Sequence, residues 1–271
     1  MSSDKTLLIT GVSSGFGRAL AEEALAAGHR VIGTVRSEQA RNAFEALAPG
    51  RSVGRVLDVT DFEAIDGVVA EIEATVGPID VLVNNAGYGH EGVMEESPLD
   101  EMRRQFDVNV FGAVAMMKAV IPGMRKRRRG NILNITSMPG ITYYCGSKFA
   151  LEGISEARGK EVRPLGIFVT AVAPGSFRTD WAGRSMVRTP RSIPDYDPLF
   201  DPIRKAREEK SGKQLGDPVK AARAMLSVID SDNPPAHLLL GSDAVGLVRE
   251  KLSAIGGEID AWETVSRSTD G

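Results

Sequence analysis

Two hydrophobic periods alternate along the first two thirds of the chain. Nearly continuous runs of aliphatic and β-branched residues predict buried strands at Thr6–Thr10, Arg30–Val35, Ser52–Leu57, Asp80–Val83, Asn131–Ile135 and Ile167–Val172. Apolar residues at helical spacing predict helices at Phe16–Ala27, from Thr60–Asp61 to Val76, from Ser97–Pro98 to about Arg129, and at Tyr143–Arg163. Strands that alternate with helices through short loops favour an α/β fold, with a doubly wound parallel sheet between two layers of helices (α/β/α).

The pattern changes beyond about residue 175. The stretch from about 181 to 216 is rich in Arg, Pro and Asp, and apart from a helix near Pro202–Lys210 it predicts little regular structure. A helix at Pro218–Ile229, a strand at Ala236–Leu240 and a helix at Ala244–Ile255 follow it. We therefore expect a single domain over residues 1–271, in which 181–216 is an excursion from the sheet that could act as a lid over a substrate.

Composition narrows the class of protein. The chain has 271 residues, 42% of them hydrophobic, and a formal net charge of −3 from 33 basic and 36 acidic residues. The apolar fraction excludes a largely disordered chain, and the near-neutral charge argues against a nucleic-acid binder. A single cysteine forms no internal disulfide, which fits a cytoplasmic location. We expect no membrane span, because no apolar run approaches roughly 18 residues, and no metal site, because the three histidines are scattered.

A basic run, Arg125–Arg129, stands at the end of the long predicted helix. Such a run can be a nuclear-localisation or nucleic-acid patch. We favour a solvated last helical turn, where cations suit the helix dipole and Gly130 caps the end.

The first predicted strand runs into a glycine-rich turn that opens the first helix, Thr10-Gly11-Val12-Ser13-Ser14-Gly15-Phe16-Gly17. Glycine lets the backbone turn tightly and approach a ligand without a clash from Cβ. The helix that follows offers free N–H groups and the positive end of its dipole, which suit a pyrophosphate. The spacing G-x-x-x-G-x-G is not the G-x-G-x-x-G fingerprint, but its strand–turn–helix context predicts the same Rossmann-type dinucleotide binding. A tight turn without a ligand is the alternative.

The end of the second predicted strand bears on which dinucleotide is bound. An acid at this position would bind the ribose 2′-hydroxyl of NAD, whereas an arginine accommodates the 2′-phosphate of NADP. Here the strand ends in Arg36 and carries no acid at its tip, so we expect NADP to be favoured over NAD. A solvated surface arginine is the alternative.

With these features the chain resembles the classical short-chain dehydrogenase/reductase family. The resemblance covers about residues 4 to 180 and rests on the order of its motifs: the Thr10–Gly17 turn, Asp58-Val59, Asn84-Asn85-Ala86-Gly87, Asn109-Val110-Phe111-Gly112, Ser137, Tyr144-x-x-x-Lys148, and Pro174-Gly175 followed by Thr179. Singly these motifs are weak, but jointly they are specific.

The resemblance implies a nicotinamide dinucleotide along the carboxyl ends of the strands. At the phosphates it places Gly11, Ser13, Ser14, Gly15, Phe16 and Gly17. It places Asp58 and Val59 beside the adenine, and Asn85, Ala86 and Gly87 on the ribose side, although the Asn84–Gly87 segment could instead be an ordinary turn that closes a strand. Near the nicotinamide it places Pro174, Gly175 and Thr179, and it implies a homodimer or homotetramer through the helices at about 98–129 and 143–163.

The predicted chemistry is the interconversion of a small-molecule carbonyl and a secondary alcohol. Tyrosine is a poor acid or base near neutrality, but a nearby cation favours its phenolate form. Tyr144 and Lys148 are four residues apart on a predicted helix and share one face, whereas Tyr143 points elsewhere. We therefore expect Tyr144 to be the general acid and base and Lys148 its electrostatic partner, and the family's lysine also contacts the nicotinamide ribose. A surface pair is the alternative.

The resemblance assigns two further catalytic residues. Ser137 would hydrogen-bond the substrate oxygen, and Asn109 would support a proton relay through water to Lys148. For Asn109, a structural role at a helix kink is the alternative.

The segment between Ser137 and Tyr144 departs from the family pattern. The two residues are seven apart, about six fewer than usual in the family, although seven residues can still span roughly 23 Å when extended. A naturally short loop, an engineered deletion, or a sequence closed up over absent residues would each explain it.

The short loop also motivates a second hypothesis, that the protein is a dinucleotide-binding sensor or scaffold with little catalysis. Within the excursion, apolar and aromatic side chains either line an apolar substrate pocket or hold a lid closed: Trp181, Tyr196, Leu199 and Phe200.

Overall fold

A parallel sheet forms the centre of the protein. The computed structural model describes residues 4–137, 142–179, 183, 185–210 and 212–271. In chain order the strands are β1 Thr6–Thr10, β2 Arg30–Val35, β3 Ser52–Val56, β4 Val81–Asn84, β5 Gly89–Glu91, β6 Gly130–Ile135, β7 Ile167–Pro174, β8 Met186–Arg188 and β9 His237–Leu240. Seven of them form one parallel sheet of order β3-β2-β1-β4-β6-β7-β9, and β5 pairs with β8 in a separate parallel pair.

Helices cover both faces of this sheet. In chain order the helices are α1 Gly15–Ala26, α2 Glu38–Glu45, α3 Phe62–Thr75, α4 Leu99–Phe106, a π-helix Asp107–Gly112, α5 Ala113–Arg127, α6 Thr142–Val162, α7 Asp197–Lys210, α8 Pro218–Ile229 and α9 Ser242–Arg267, of which α7 lies in the excursion and not on this sheet. The predicted α/β fold of Rossmann type is therefore confirmed. The prediction did not include α2, β5 or β8, and it made α7 and α9 too short.

The period of two along β1 divides the core into two apolar layers. Leu7 and Ile9 point into a cluster with α1 and α8, whereas Leu8 points into a cluster with α3 and α5. All three side chains are fully buried. A strand covered on both faces must be apolar at every position, which explains the nearly continuous hydrophobic runs.

The end of α5 differs from the prediction. Gly130 does not cap the helix, since Arg128 takes the left-handed conformation there (φ 56°) and Gly130 begins β6. Two arginines of the basic run form hydrogen bonds and ion pairs within the protein. Arg127 donates to Glu73 and to the Ile79 carbonyl, and Arg129 pairs with Asp80 at 2.8 Å. These arginines therefore join α5 to neighbouring elements.

One helical stretch, Leu99–Arg127, is long and apolar enough to cross a membrane by length and composition, with a mean hydropathy of 1.3. Core helices pass the same test, and 44% of this window is buried inside the protein. The expectation that the chain has no membrane span therefore stays a prediction.

Candidate active site

The glycine turn after β1 has the backbone that its sequence predicts. Gly11 and Gly15 have positive φ angles of 73° and 59°, which side chains other than glycine rarely adopt. Gly17 is buried, and a Cβ there would collide with the Asn85 side chain and the Gly11 carbonyl. The turn is therefore closely packed behind the first turn of α1.

Asn85 holds this turn in place. Its Nδ2 atom donates to the carbonyls of Thr10 and Gly11, both at 2.9 Å, while its backbone N–H and that of Ala86 bind the Thr10 hydroxyl. Ala86 also lies directly against Gly11, where a Cβ would approach the Ala86 Cα to 3.1 Å. The predicted ribose-side residues thus also shape the phosphate-side turn.

The first turn of α1 suits an anion. It contains no acidic residue, and the side chain of Ser14 at the N-cap makes no capping hydrogen bond. Ser13 is exposed, while Gly15 and Phe16 are partly buried. The free N–H groups and the dipole of α1 therefore meet the requirements of a pyrophosphate, and the turn fits a dinucleotide.

Arg36 lies close to this turn in the sheet. The N–H groups of Gly11 and Val12 donate to the Thr34 carbonyl on β2, and β2 ends one residue before Arg36. Arg36 is exposed, and among the described residues it forms no ion pair. Its guanidinium group is thus available at the same edge of the sheet as the glycine turn.

The outer positions of the predicted cofactor site lie at the same sheet edge. Asp58 is exposed and accepts hydrogen bonds from Thr60, while Val59 is buried against Gly112. After β7, the loop from Gly175 to Thr179 reaches α1, where the rings of Phe16 and Phe177 meet edge to face at 5.0 Å. Thr179 faces Gly15, where a Cβ would lie 3.8 Å from the threonine Cβ.

Tyr144 and Lys148 share one buried face of α6. The Lys148 Nζ atom lies 5.8 Å from the centroid of the Tyr144 ring and donates to the Ile135 carbonyl at 2.7 Å. Burial lowers the pKa of Lys148 to about 8. The side chain thus remains mostly cationic at neutral pH, and its charge favours a phenolate at Tyr144.

The neighbouring tyrosines are placed differently. The Tyr143 hydroxyl donates to the Ser97 carbonyl at 2.9 Å, and its ring stacks on His90, so Tyr143 points elsewhere, as predicted. Burial, followed by the nearby Glu101 carboxylate, raises the pKa of Tyr88 to about 12. Tyr88 is therefore poorly suited to exchange a proton near neutrality.

Asn109 lies in the π-helix and holds the backbone of Tyr88 from both sides. Its Oδ1 atom accepts from the Tyr88 N–H, and its Nδ2 atom donates to the Tyr88 carbonyl and to the Ser147 hydroxyl. A Cβ on Gly87 would lie 2.9 Å from this Oδ1 atom and 3.4 Å from the Lys148 Nζ atom. Asn109 thus joins the Gly87–Tyr88 segment to α6.

Sequence reasoning missed two members of this network. Ser147 is fully buried and donates to the Tyr144 carbonyl at 2.7 Å. Gln105 is also fully buried and donates to the Tyr88 carbonyl at 2.9 Å. Their positions in the sequence contain a usable signal, because Gln105 lies one helical turn before Asn109 and Ser147 lies inside the Tyr144–Lys148 motif.

Ser137 follows β6 and is partly buried. Residues 138–141, which join it to α6, lie outside the described residues. The approach of Ser137 to Tyr144 therefore stays a prediction.

The excursion meets this site through β5 and β8. Glu91 on β5 is buried and surrounded by three guanidinium groups, from Arg188 at 3.7 Å, Arg204 at 3.3 Å and Arg207 at 2.5 Å. His90, also buried, binds the Thr189 hydroxyl at 2.8 Å. The excursion is thus joined to the strand that directly follows Tyr88.

A second carboxylate, Glu96, fixes the next part of the excursion. It accepts from the backbone N–H groups of Ser192 and Ile193 and pairs with Arg191 at 2.9 Å. These hydrogen bonds, led by that from Ser192, lower the pKa of Glu96. The carboxylate is therefore retained in its charged form.

The aromatic residues of the excursion mostly pack within it. The Tyr196 hydroxyl donates to Glu95, and the Tyr196 and Phe200 rings meet edge to face at 6.4 Å. Leu199 remains exposed, and Trp181 lies outside the described residues. The contacts of Tyr196 and Phe200 therefore favour packing over pocket lining.

Comparison with known proteins agrees with this geometry. The family model for short chain dehydrogenase matches residues 5–187. Oxidoreductase BOA17 of Botryotinia fuckeliana is 34% identical over 97% of this chain and 98% of its own length. A 3-ketodihydrosphingosine reductase of Bacteroides thetaiotaomicron is 37% identical over 87% of each chain. The crystal structure of a short-chain dehydrogenase from Streptomyces avermitilis superposes with a TM-score of 0.92 at 42% identity, covering all of both chains.

These matches extend over most of the chain and include the glycine turn and the Tyr144–Lys148 motif. Relatives of this similarity share the fold and the class of reaction. The chain therefore belongs to the short-chain dehydrogenase/reductase family and is an oxidoreductase that uses a nicotinamide dinucleotide.

Proposed function

We propose that the protein interconverts a carbonyl and a secondary alcohol with NADP(H), using Tyr144 as general acid and base and Lys148 as its electrostatic partner. The carrying observation is the buried Lys148 ammonium group, 5.8 Å from the centroid of the Tyr144 ring. An unpaired charge is expensive to bury, so its retention beside a tyrosine supports a role in stabilising the phenolate.

The proton follows a short path in this proposal. A nicotinamide dinucleotide held by the glycine turn would supply the hydride for reduction or accept it in oxidation. In reduction, Tyr144 donates its hydroxyl proton to the carbonyl oxygen as that oxygen gains negative charge, and Lys148 stabilises the phenolate that remains. Ser137 hydrogen-bonds the same oxygen. In oxidation, the Tyr144 phenolate removes the proton of the alcohol.

Asn109 acts in this proposal mainly by positioning. Both ends of its amide are bonded to Tyr88 and Ser147, which keeps the Gly87 backbone beside Lys148. Its support of a water-mediated proton relay to Lys148 stays a prediction.

Replacing Tyr144 tests the assignment. Tyr144→Phe removes the hydroxyl proton and is expected to lower kcat by at least about 10³-fold, with NADPH affinity within about twofold of wild type by calorimetry. Tyr143→Phe is the matched control, because its hydroxyl binds Ser97 away from Lys148, and it should keep kcat. Wild-type turnover by Tyr144→Phe would exclude the assignment.

Assays of NADPH oxidation with a panel of carbonyl compounds distinguish the proposed activity from the alternative, a dinucleotide-binding sensor or scaffold with little catalysis. Because one relative is named as a 3-ketodihydrosphingosine reductase, the panel should include long-chain 3-ketones beside simple ketones and aldehydes. The enzyme proposal expects NADPH oxidation with at least one member. Tight NADPH binding without oxidation across the panel would favour a dinucleotide-binding sensor or scaffold.

Arg36 is proposed to select NADP by binding its 2′-phosphate. Its exposed guanidinium group at the edge of β2 and the absence of an acid there support this role. Arg36→Asp should raise the KM for NADPH by about tenfold or more and lower that for NADH, because one charged hydrogen bond contributes roughly 1.5–3 kcal/mol. Lys160→Asp, the same charge change on an exposed lysine, should leave both values unchanged. An unaltered preference in Arg36→Asp would remove Arg36 from this role.

Two further features are proposed from the surface. The excursion at about 181–216 covers the substrate, since β8 pairs with the strand that follows Tyr88. A homodimer or homotetramer forms through α4, α5 and α6. Exposed apolar side chains on this helical surface support the assembly: Leu99, Phe111 and Phe149.

A further inference from the structure

The second half of α9 carries an uncovered apolar face. Ala244 is buried at the start of the helix, but from Arg249 to Arg267 every residue except Gly256 is exposed. Five large apolar side chains in this segment are between 40% and 64% exposed: Leu252, Ile255, Ile259, Trp262 and Val265. Contiguous exposed apolar surface of this kind marks an interaction site more often than a solvated helix.

The apolar residues follow a heptad spacing. Val248, Leu252, Ile255, Ile259 and Trp262 are separated by four, three, four and three residues, which places them along one side of the helix. We call these five residues the α9 stripe. The same spacing forms the seam of two packed helices in a coiled coil.

The intrinsic helix propensity of this segment is low. Gly256 and Gly257 stand in its interior, and each glycine costs a helix about 1 kcal/mol relative to alanine. Most helical stability in proteins comes from packing of the apolar face. A cover over the α9 stripe would supply the contacts that this segment lacks.

The charges favour a second α9 helix in antiparallel orientation as that cover. Arg249 and Lys251 stand at the start of the exposed segment, while Glu258 and Glu263 flank the stripe towards its end. Antiparallel pairing places the basic part of one helix opposite the acidic part of the other, whereas parallel pairing places like charges together. With five acids against three bases in α9, an anionic membrane surface is disfavoured.

The available area reaches the lower limit for a specific contact. Four side chains of the α9 stripe are 40–64% exposed and offer roughly 100 Å² each, so that with the partly buried Val248 a symmetric pair covers about 900 Å², which is close to the smallest area of specific interfaces.

We infer that α9 pairs antiparallel with α9 of a second copy of this chain through the α9 stripe. The helices cross near Gly257, where Leu252 faces the partner's Trp262 and Ile255 faces the partner's Ile259. Arg249 then lies opposite the partner's Glu263. The start of this contact adjoins the surface of α6, because the Lys251 ammonium group lies 3.8 Å from the centroid of the Phe149 ring, whereas the stripe residues themselves lie further along α9.

Light scattering of the full chain tests the pairing. Leu252→Glu/Ile259→Glu introduces four like charges into the pair and is expected to halve the measured mass. Ser253→Glu/Thr264→Glu is the matched control, because it adds the same charge on the opposite side of the helix, and it should keep the wild-type mass. A wild-type protein that is monomeric, or a stripe variant with wild-type mass, would overturn the inference.

A charge exchange tests the orientation. Arg249→Glu should weaken association about tenfold by sedimentation, and Arg249→Glu/Glu263→Arg should restore it, since the pair is re-formed with reversed signs. Circular dichroism and NADPH affinity show whether each variant is folded. Failure of the exchange to restore association would exclude this register. Stripe-dependent flotation with phosphatidylcholine or phosphatidylserine vesicles, without self-association, would assign the face to a membrane instead.

Discussion

The sheet and the excursion are held in place by different forces. β1 buries Leu7, Leu8 and Ile9 completely, so its stability comes mainly from apolar area removed from water. α7 in the excursion buries none of its residues and is joined to β5 by Arg204 and Arg207 on Glu91. An ionic anchor depends on both partners and their geometry, whereas an apolar core is shared among many contacts. The sheet is therefore expected to unfold cooperatively, and the excursion to open locally.

The largest effect is expected in the apolar part. Phe44 is 1% exposed, and its ring lies against Gly33 on β2. Phe44→Ala should lower the free energy of unfolding by about 4 kcal/mol, because it removes buried area and leaves a cavity. Denaturant titration should show one cooperative transition, and Phe62→Ala, at a 45% exposed position, should lose less than about 1 kcal/mol. A small loss at Phe44 would contradict the assignment of stability to this layer.

The next effect is expected to be local. Glu91→Gln leaves three arginines around a neutral group and should weaken the attachment of the excursion to β5 by about 3 kcal/mol. Hydrogen exchange should rise in β8 and α7 but not in β1 and β4. Glu161→Gln, which breaks an exposed pair with Arg158, should change neither region. Equal acceleration of exchange in β1 would show that the two regions open together.

The buried ammonium group of Lys148 is expected to reduce the stability of the core that contains it. Lowering the pKa of Lys148 from 10.5 to about 8 corresponds to a cost of about 3 kcal/mol for keeping the proton when folded. Lys148→Met removes this cost but also the hydrogen bond to Ile135. The variant should therefore be more stable by about 1–2 kcal/mol at pH 7, while the proposed function expects it to lose activity.

The pH dependence has a definite sign. The penalty is fully present below pH 8 and is relieved as the pH rises from about 8 towards 10.5, because the folded protein releases the proton first. Thermal denaturation should therefore show the advantage of Lys148→Met shrinking over this range. Lys160→Met, at an exposed lysine, should show no such change, and a constant advantage would argue against a buried ammonium group.

The smallest effect is expected for an exposed ion pair on the sheet side. Arg55 binds Glu71 through two hydrogen bonds of 2.7 and 2.8 Å, and the hydrogen bond from Arg55 lowers the pKa of Glu71. Glu71→Gln should cost about 0.5 kcal/mol. The contribution is present above the ordinary carboxyl pKa and is lost as the pH falls through the lowered value. A loss comparable to that of Glu91→Gln would remove the distinction between exposed and buried anchors.

The strands were predictable because burial on both faces requires the apolar runs that the sequence displays. α2 was not, since only Phe44 is buried in its polar sequence. β5 and β8 are three residues long and pair across nearly a hundred positions, so neither local pattern nor spacing indicates them. The prediction that Gly130 caps α5 was wrong, since this residue begins β6. A Cβ there would collide with the Met124 side chain, and only the packed structure shows that contact.

The site was predictable where it depends on helical spacing. Tyr144 and Lys148 share a face because they are four residues apart. The support of the glycine turn by Asn85 was not predictable, since it depends on how β1 and β4 lie side by side. Motifs in the sequence indicate which residues meet a ligand. The hydrogen bonds that hold those residues in place can be identified only from the tertiary structure.

The π-helix at Asp107–Gly112 constrains insertions and deletions in this part of the chain. A π turn accommodates one more residue than an α turn, and one residue corresponds to about 100° of rotation around a helix. Removing a single residue here would restore a regular α-helix and rotate α4 relative to α5. If α5 kept its packing against the sheet, Asn109 would lose its hydrogen bonds to the Tyr88 backbone. If Asn109 kept those hydrogen bonds, the buried face of α5 would rotate away from the sheet. Length variation among homologues is therefore expected to avoid residues 107–112, even where sequence identity is low.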